Sequence, residues 1–429
     1  MKGARLFACQ DCDLLQREVP LDRGEVLHCR RCGAELYRLH KVGLDRPLAY
    51  AVASIVLLLV ANLFPIVGLS VNGNVVQTTL YGATRELYMH GMWPLAILVF
   101  TTTILTPFLQ VSAVLYLLLP LQLHRVPYRP NLVFRIRHLA QPWGMTEVLI
   151  LGMLVALVKL AHIAIVVPGV ALWSYGALML LIAAANATFD ARQFWVLIDG
   201  ERGVGGNADS ALTMPLPAKT ALGCGLLVCH SCGLISRSDS RACDAFCPRC
   251  EARLHSRKPD SFARTWAFLI AAAILYVPAN ALPVMDTHSL FGAEEDTILS
   301  GVVYLWTSGS WPLAVLVFIA SIAVPMLKLI AMTFLVISAQ LRSQWQPEKR
   351  ARIYRVVELV GRWSMLDIYV ITILVALVQF DALATIRAGP AAIAFGAVVV
   401  LTMFAAMSFD PRLTWDCMEK GHGHPLRQD

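Results

Sequence analysis

Cys9-Gln10-Asp11-Cys12 and Cys29-Arg30-Arg31-Cys32 stand near the start of the chain, and Cys229-His230-Ser231-Cys232 and Cys247-Pro248-Arg249-Cys250 restate them in its second half. Further matches follow in the same order. Asn62-Leu63-Phe64-Pro65 corresponds to Asn280-Ala281-Leu282-Pro283, and Trp93-Pro94-Leu95-Ala96 to Trp311-Pro312-Leu313-Ala314. Leu154-Val155-Ala156-Leu157-Val158 corresponds to Leu374-Val375-Ala376-Leu377-Val378, and Phe189-Asp190 to Phe409-Asp410. Ordered matches along a whole chain are the signature of a duplicated unit.

Each unit carries four long apolar runs. They fall at 48–69, 93–118, 146–167 and 170–190, then at 264–284, 311–338, 366–384 and 389–409. A helix of about 20 apolar residues crosses a ~30 Å hydrocarbon core. The 429 residues are 57% hydrophobic and 15% charged, where a soluble domain carries about 25% charge. A large soluble helical protein is therefore excluded in favour of an all-α polytopic membrane protein. Prolines inside the runs (Pro65, Pro107, Pro283, Pro325) are compatible with this where neighbouring helices satisfy the freed carbonyls. The first 40 residues are charged and cysteine-rich and show no apolar leader.

Basic residues orient the runs. Of the 36 Lys and Arg, 31 lie in 1–47, 119–145, 191–263, 339–365 and 410–429, and only Arg85 and Arg387 lie in the intervening loops. Positive segments stay in the cytoplasm, so both termini and both cysteine modules are expected there. This bias accounts for the net charge of +7 without a nucleic-acid partner. Four spans per unit make the two copies parallel rather than inverted, as in transporters with repeats about the membrane normal. The expected domains are a ribbon at 1–46, a first membrane unit at 47–199, a Gly- and Pro-containing linker at 200–222, a second ribbon at 223–260, a second membrane unit at 261–415 and a tail at 416–429.

Two Cys-x-x-Cys knuckles supply four thiolates, the complement of a tetrahedral zinc ion. The expected ligands are Cys9, Cys12, Cys29 and Cys32 in the first module and Cys229, Cys232, Cys247 and Cys250 in the second, giving two zinc ions per chain. Cysteines in a reducing compartment favour metal over disulfides. Four cysteines leave no open position, so the sites read as structural. Rubredoxin-like iron and a redox dithiol are the alternatives. Cys243 competes with Cys247, and the repeat favours Cys247. His422 and His424 read as a disordered tail.

Polar residues inside the runs are the second signal. Lys328 and Asp367 fall at similar depth in the sixth and seventh spans, and an isolated charge there costs roughly 3 kcal/mol, so a partner is expected. Ser321 lies seven residues before Lys328, Ser364 three before Asp367, and Thr402 inside the eighth span. The five read either as a network for proton uptake or conformational coupling, or as a helix-gluing ion pair with Lys328 snorkelling. The first unit has Gln110 and Glu147 at the corresponding positions, which implies a hydrogen bond, and has Lys159 and His162 in its third span. No Gly-x-Ser-x-Gly, His-Glu-x-x-His or phosphate-loop motif is present, so no enzyme chemistry is expected.

The knuckles, the Asn-x-x-Pro end of the first span, the Trp-Pro-Leu-Ala entry to the second and the Phe-Asp close of the fourth resemble the paraquat-inducible protein A family over nearly the whole chain. Ser321, Lys328, Ser364, Asp367 and Thr402 are similar to the intramembrane polar network of its LetA branch, with the PqiA branch as sibling. The resemblance implies an inner-membrane subunit of a Gram-negative system that moves phospholipid between membranes. It implies a periplasmic MCE tunnel protein of the LetB or PqiB kind as partner. It also implies tetraspanin- or claudin-like four-helix units with short periplasmic β-strands, which suits the alternating stretch Val71–Leu80. A non-transporting zinc-ribbon scaffold or envelope-stress sensor is the alternative.

Overall fold

The computed structural model describes residues 6–17, 19, 25–38, 45–71, 74–161, 165–201, 220–237, 245–289, 292–377, 379–380 and 384–416. Most of the expected linker and the tail with His422, His424 and Cys417 lie outside them, as does Cys243. Eight helices are long and apolar enough to cross a membrane: Asp45–Leu63, Trp93–Gln122, Pro130–Val158, Val170–Thr188, Ser261–Ala281, Ala314–Gln340, Pro347–Ala376 and Pro390–Ser408. They are called spans 1 to 8. Spans 3 and 7 begin well before the apolar runs, with a polar leg at Pro130–Ala140 and Pro347–Gly361. Hydropathy misses these legs because they carry several charges, of which Arg137 and Arg350 are nonetheless buried. The runs also overshoot several ends, because short apolar strands follow the helices and a brief apolar run does not distinguish strand from helix.

Those strands form two small sheets. Val67–Val71 pairs antiparallel with Asn74–Thr78 and with Ile165–Pro168. Met285–Ser289 pairs likewise with Gly292–Asp296 and Ala384–Ala388. Each sheet joins the end of one span to the start of another, so the bundle has a sheet face at one end and a ribbon face at the other. A short amphipathic helix follows each hairpin, Leu80–Met89 and Ile298–Thr307, started by Thr79 and Thr297 side chains that accept from Gly82 N and Ser300 N.

Recurring contacts explain the sequence matches. Gly169 N donates to Ile66 O and Gly389 N to Val284 O, both at 2.8 Å. These bonds tie the end of span 1 to the start of span 4, and span 5 to span 8. A Cβ on Gly169 or Gly389 would overlap the carbonyl of Pro65 or Pro283, so glycine is dictated there by close backbone approach. The Phe of Phe-Asp receives the polar leg: Arg137 lies 4.1 Å above the Phe189 ring and donates to Asn186 Oδ1 at 3.0 Å. In the second half Tyr354 packs on Phe409 and donates to Ala406 O at 3.1 Å. The Asp of the motif caps the next short segment, Asp190 accepting from Arg192 N and Asp410 from Arg412 N.

Spans 2 and 6 each contain one π-helical turn, Thr101–Leu105 and Ile319–Ala323. Pro107 and Pro325 follow closely and lack the N–H that regular helix bonding needs, which accounts for the widened turn. Tyr175 donates to Thr103 O, the carbonyl that Pro107 leaves without its usual partner. Span 7 packs against spans 3 and 8 and against Leu80–Met89, so it belongs to both halves. Tyr369 on it donates to Thr102 Oγ1 of the π-turn at 3.0 Å. Gly152 of span 3 leaves too little room for a Cβ against Tyr369 Cβ.

Substituting Gly169→Ala or Gly389→Ala should cost about 1–3 kcal/mol by overpacking. Gly176→Ala, whose Cβ would meet only Ile150 at 4.0 Å, should be near neutral. Thermal denaturation of detergent-solubilised variants, followed by size-exclusion, reads the difference.

Candidate functional site

Both cysteine modules fold as knuckled ribbons. The first has hairpins Leu6–Ala8/Leu15–Arg17 and Val26–His28/Glu35–Arg38. The second has Leu226–Val228/Ile235–Arg237 and a bridge between Phe246 and Arg253. Gly33 and Gly233 adopt φ of +69° and +70°, the left-handed turn under each knuckle that favours glycine. Cys9, Cys12, Cys29 and Cys32 place their sulfurs together, as do Cys229, Cys232, Cys247 and Cys250, all within 4.8 Å of one another. Cys9 and Cys32 sulfurs are 3.5 Å apart, and Cys229 and Cys250 sulfurs 3.4 Å. A tetrahedral ion with ~2.3 Å metal–sulfur bonds separates sulfurs by roughly 3.8 Å, so the donor sets fit a metal with little movement. The hydrogen bond from Cys12 lowers the Cys29 thiol pKa, and that from Cys232 lowers Cys229. Gln16 Nε2 donates to Cys29 Sγ at 3.2 Å, contacting the ligand from outside the four.

The ribbons dock crosswise. The first ribbon's cysteine core packs against Ala351 of the span 7 leg and against Trp415. Arg355 of that leg donates to Cys32 O at 2.6 Å and lies 3.6 Å from Asp11. The second ribbon meets the leg of span 3, where Arg135 donates to Glu251 O at 3.5 Å. Where they meet, charges are buried. Asp13 accepts from Arg257 at 3.1 Å and from Leu222 N at 3.2 Å. Arg412 is bonded to Asp410 at 2.8 Å and to His230 at 2.7 Å, and lies 4.0 Å from Asp13. Burial alone would raise Asp410, but the Arg412 guanidinium outweighs it and holds the carboxyl at about 2. Burial lowers His230 to about 4, helped by Arg412, so its ring is neutral at pH 7.

Inside the bundle, Lys328 is 3% exposed and has no hydrogen-bonded or ionic partner among the described residues. Its Nζ fills the space beside Gly361, where a Cβ would stand 2.8 Å away. The 3-10 turn Arg362–Met365 follows, with Ser364 Oγ buried and unpartnered among the described residues. The turn packs against spans 6 and 8, which carry Ser321 and Thr402. Ser321 and Thr402 donate to their own helices, at Val317 O and Val399 O. Asp367 lies one residue into the helix Leu366–Leu377, and its side chain lies outside the described residues.

The first half differs from expectation. Gln110 Nε2 donates to Ala140 O at 3.1 Å and not to Glu147, which is exposed. The carbonyls at the end of the polar leg are nearer than the carboxylate. Gly144 is to Gln110 as Gly361 is to Lys328, since a Cβ on Gly144 would overlap the Gln110 amide. Sequence reading missed both glycines, which are not repeat partners: Gly144 aligns with Ser364 and Gly361 with Gln141, one following its 3-10 turn and the other preceding it. Lys159 lies in span 3 with its side chain outside the described residues, and His162 lies outside them altogether.

Beneath each sheet is an apolar pocket. One is lined by Ile66, Val67, Leu80, Ala83 and Val99 with Thr78, and the other by Val284, Met285, Ile298, Gly301 and Val317 with Asp296 and Thr297. Position by position, the second set follows the first by 218 residues, as 66 to 284 and 99 to 317. Span 7 walls both, with Tyr369, Thr372 and Ile373 on one and Val370, Ile371 and Leu374 on the other.

A family model described as paraquat-inducible protein A matches residues 44–199 and again 262–419. The chain belongs to the paraquat-inducible protein A family. The two matched segments also establish the internal repeat. The chain is 35% identical to the intermembrane transport protein PqiA of Escherichia coli (strain K12), over 96% of both chains. It is 31% identical to the lipophilic envelope-spanning tunnel protein A of the same strain, over 96% of this chain and 92% of the relative. A probable intermembrane transport protein of Haemophilus influenzae is 37% identical over 41% of this chain. Whole-chain identity is thus higher to PqiA than to LetA and does not by itself favour the LetA branch. No solved structure matches the chain significantly.

Asp410 generates a stability prediction. A carboxyl held near 2 against an unfolded value of about 3.9 contributes roughly 2 kcal/mol above pH 4, lost as pH falls through 2. Asp410→Asn removes that dependence and leaves Arg412 buried without its closest anion, costing about 3 kcal/mol. Chemical denaturation of both proteins at pH 7 and pH 3 should show the gap narrowing at the lower pH.

Proposed function

We propose that the chain is the inner-membrane subunit of an intermembrane lipid transport system, passing phospholipid to or from a periplasmic MCE tunnel protein. Its membrane part is two tandem, tetraspanin-like four-helix units in parallel orientation. The basic-residue bias puts both termini and both ribbons in the cytoplasm and the sheet face in the periplasm. The ribbons hold zinc, the ion suited to four thiolates, and serve structure. Relatives along the whole chain named as transport proteins support a non-enzymatic role.

The observation that carries this reading is the pair of matched apolar pockets at the sheet ends of the helices, sharing span 7 as a wall. An acyl chain suits such a lining, and the sheet face is where a periplasmic tunnel would receive it. Polar gating falls to the stretch of span 7 just before the pocket walls. There Lys328, Asp367, Ser321, Ser364 and Thr402 form the network that answers a proton or a helix shift. A buried amine in a membrane span needs a partner charge, and Asp367 supplies it between steps.

Lipid capture tests the reading. A photoreactive residue at Ile298 or Val317, activated in cells whose phospholipids are isotopically labelled, should crosslink phospholipid. One at Val196 on the helix after span 4, 46% exposed, should capture little. Equal capture at Ile298 and Val196, or none at Ile298 and Val317, contradicts the proposal.

A further inference from the structure

The first ribbon precedes span 1 in sequence but is fastened to span 7. Its cysteine core includes Ala351, and the carbonyl of Cys32 receives the Arg355 guanidinium at 2.6 Å. Both residues lie on the leg Pro347–Gly361. That leg is one continuous helix with the turn and span that follow it. Six residues beyond Arg355, about 9 Å along a helix, Gly361 forms the seat of the Lys328 amine. A second fastening sits on the same ribbon: Arg31 lies 4.5 Å above the Trp415 ring, and Trp415 is 3% exposed. A third is the buried contact of Asp13 with Arg257 and Arg412.

All three fastenings depend on the knuckles being folded. Cys32 O is the carbonyl of a ligand residue, Arg31 lies between the ligand positions Cys29 and Cys32 of the second knuckle, and Asp13 takes φ of +61° directly after Cys12. Among the described residues the first ribbon's own apolar core is small, its cysteines with Leu14, Ala34 and Leu36, while Leu15 packs on the second ribbon, so metal binding supplies much of its folding free energy. Losing the ion removes the acceptor of Arg355 and frees the leg to shift against Lys328. The first half is fastened differently, its leg touching the second ribbon through Arg135 and Glu251 O.

We propose that metal occupancy of the first ribbon sets the position of the span 7 leg, and through Gly361 the seat of Lys328. The chain then has a metal-dependent control on the polar end of its second half, reached across the two halves of the molecule. The inference rests on the four thiolates as a metal site and is independent of what the membrane units carry.

Hydrogen exchange on the full chain in nanodiscs reads this directly, with metal content measured on the same samples. Cys29→Ser should retain one metal ion and exchange about ten-fold faster over 350–365, the effect of losing one charge-assisted bond. The leg at 130–140 should be unchanged. Arg355→Gln should keep both ions yet show the same acceleration, and Lys328 should become more reactive to an amine-acylating reagent in both variants. If Cys29→Ser does not accumulate, metal-loaded and chelator-stripped Cys247→Ser protein is compared, in which only the first ribbon has an ion to lose. Unchanged exchange over 350–365 beside an unprotected first ribbon overturns the coupling. Equal acceleration by Cys247→Ser in the metal-loaded state also overturns it, by showing general loosening. A wild-type first ribbon that binds no metal removes the metal reading while leaving lipid capture at Ile298 unaffected.

Discussion

Arg412 is the point at which the molecule is tied together. It is 2% exposed and sits between Asp410, which is fully buried, and Asp13, at 2%. Through these contacts and His230 it joins the end of span 8 to both ribbons. A guanidinium in that position tolerates no loss of its anions, since breaking one partner from a buried pair costs about 3–5 kcal/mol. The crosswise docking follows from this arrangement. Each ribbon finds its complement on a surface distant in sequence, so the two halves cannot separate without exposing buried charge.

The two halves share their scaffold and differ in what they place on it. The staple between first and fourth spans, the π-turn before proline and the Phe that receives the polar leg occur twice. On that common frame Gln110 bonds backbone carbonyls, while Lys328 brings an amine to the same place. A neutral amide that satisfies its donors locally has no reason to change state. In the function proposed above, the Lys328 amine is the group that changes state. Span 7, which packs on both halves and walls both pockets, is the element through which such a change would reach the sheet face.

Much of this was legible in the sequence, because it rests on spacing. The cysteine knuckles, the eight apolar runs and the repeat all announce themselves by pattern. Side chains that act through shape were harder to read. Gly361 and Gly144 carry no chemistry, and only the three-dimensional approach of Lys328 and Gln110 shows why they are glycine. The polar legs of spans 3 and 7 were hidden because Arg137 and Arg350 look like loop charges, yet both are buried. The strands that end the first apolar run were read as helix because Ile66 and Val67 are as apolar as the helix before them. The crosswise docking left no sequence signal, since Arg355 and Cys32 are separated by most of the chain.

The central claim is that the second half carries the responsive polar site and the first half only its inert counterpart. Substituting each of the two side chains in turn tests it most directly. Lys328→Gln gives the second half the first half's residue at the corresponding repeat position, and Gln110→Ala removes the amide from the first half. Envelope barrier function should be measured in cells dependent on this chain, with its membrane level quantified. The account predicts that Lys328→Gln abolishes function at normal protein level while Gln110→Ala retains most of it. Full function in Lys328→Gln would contradict the account and leave the buried amine as packing.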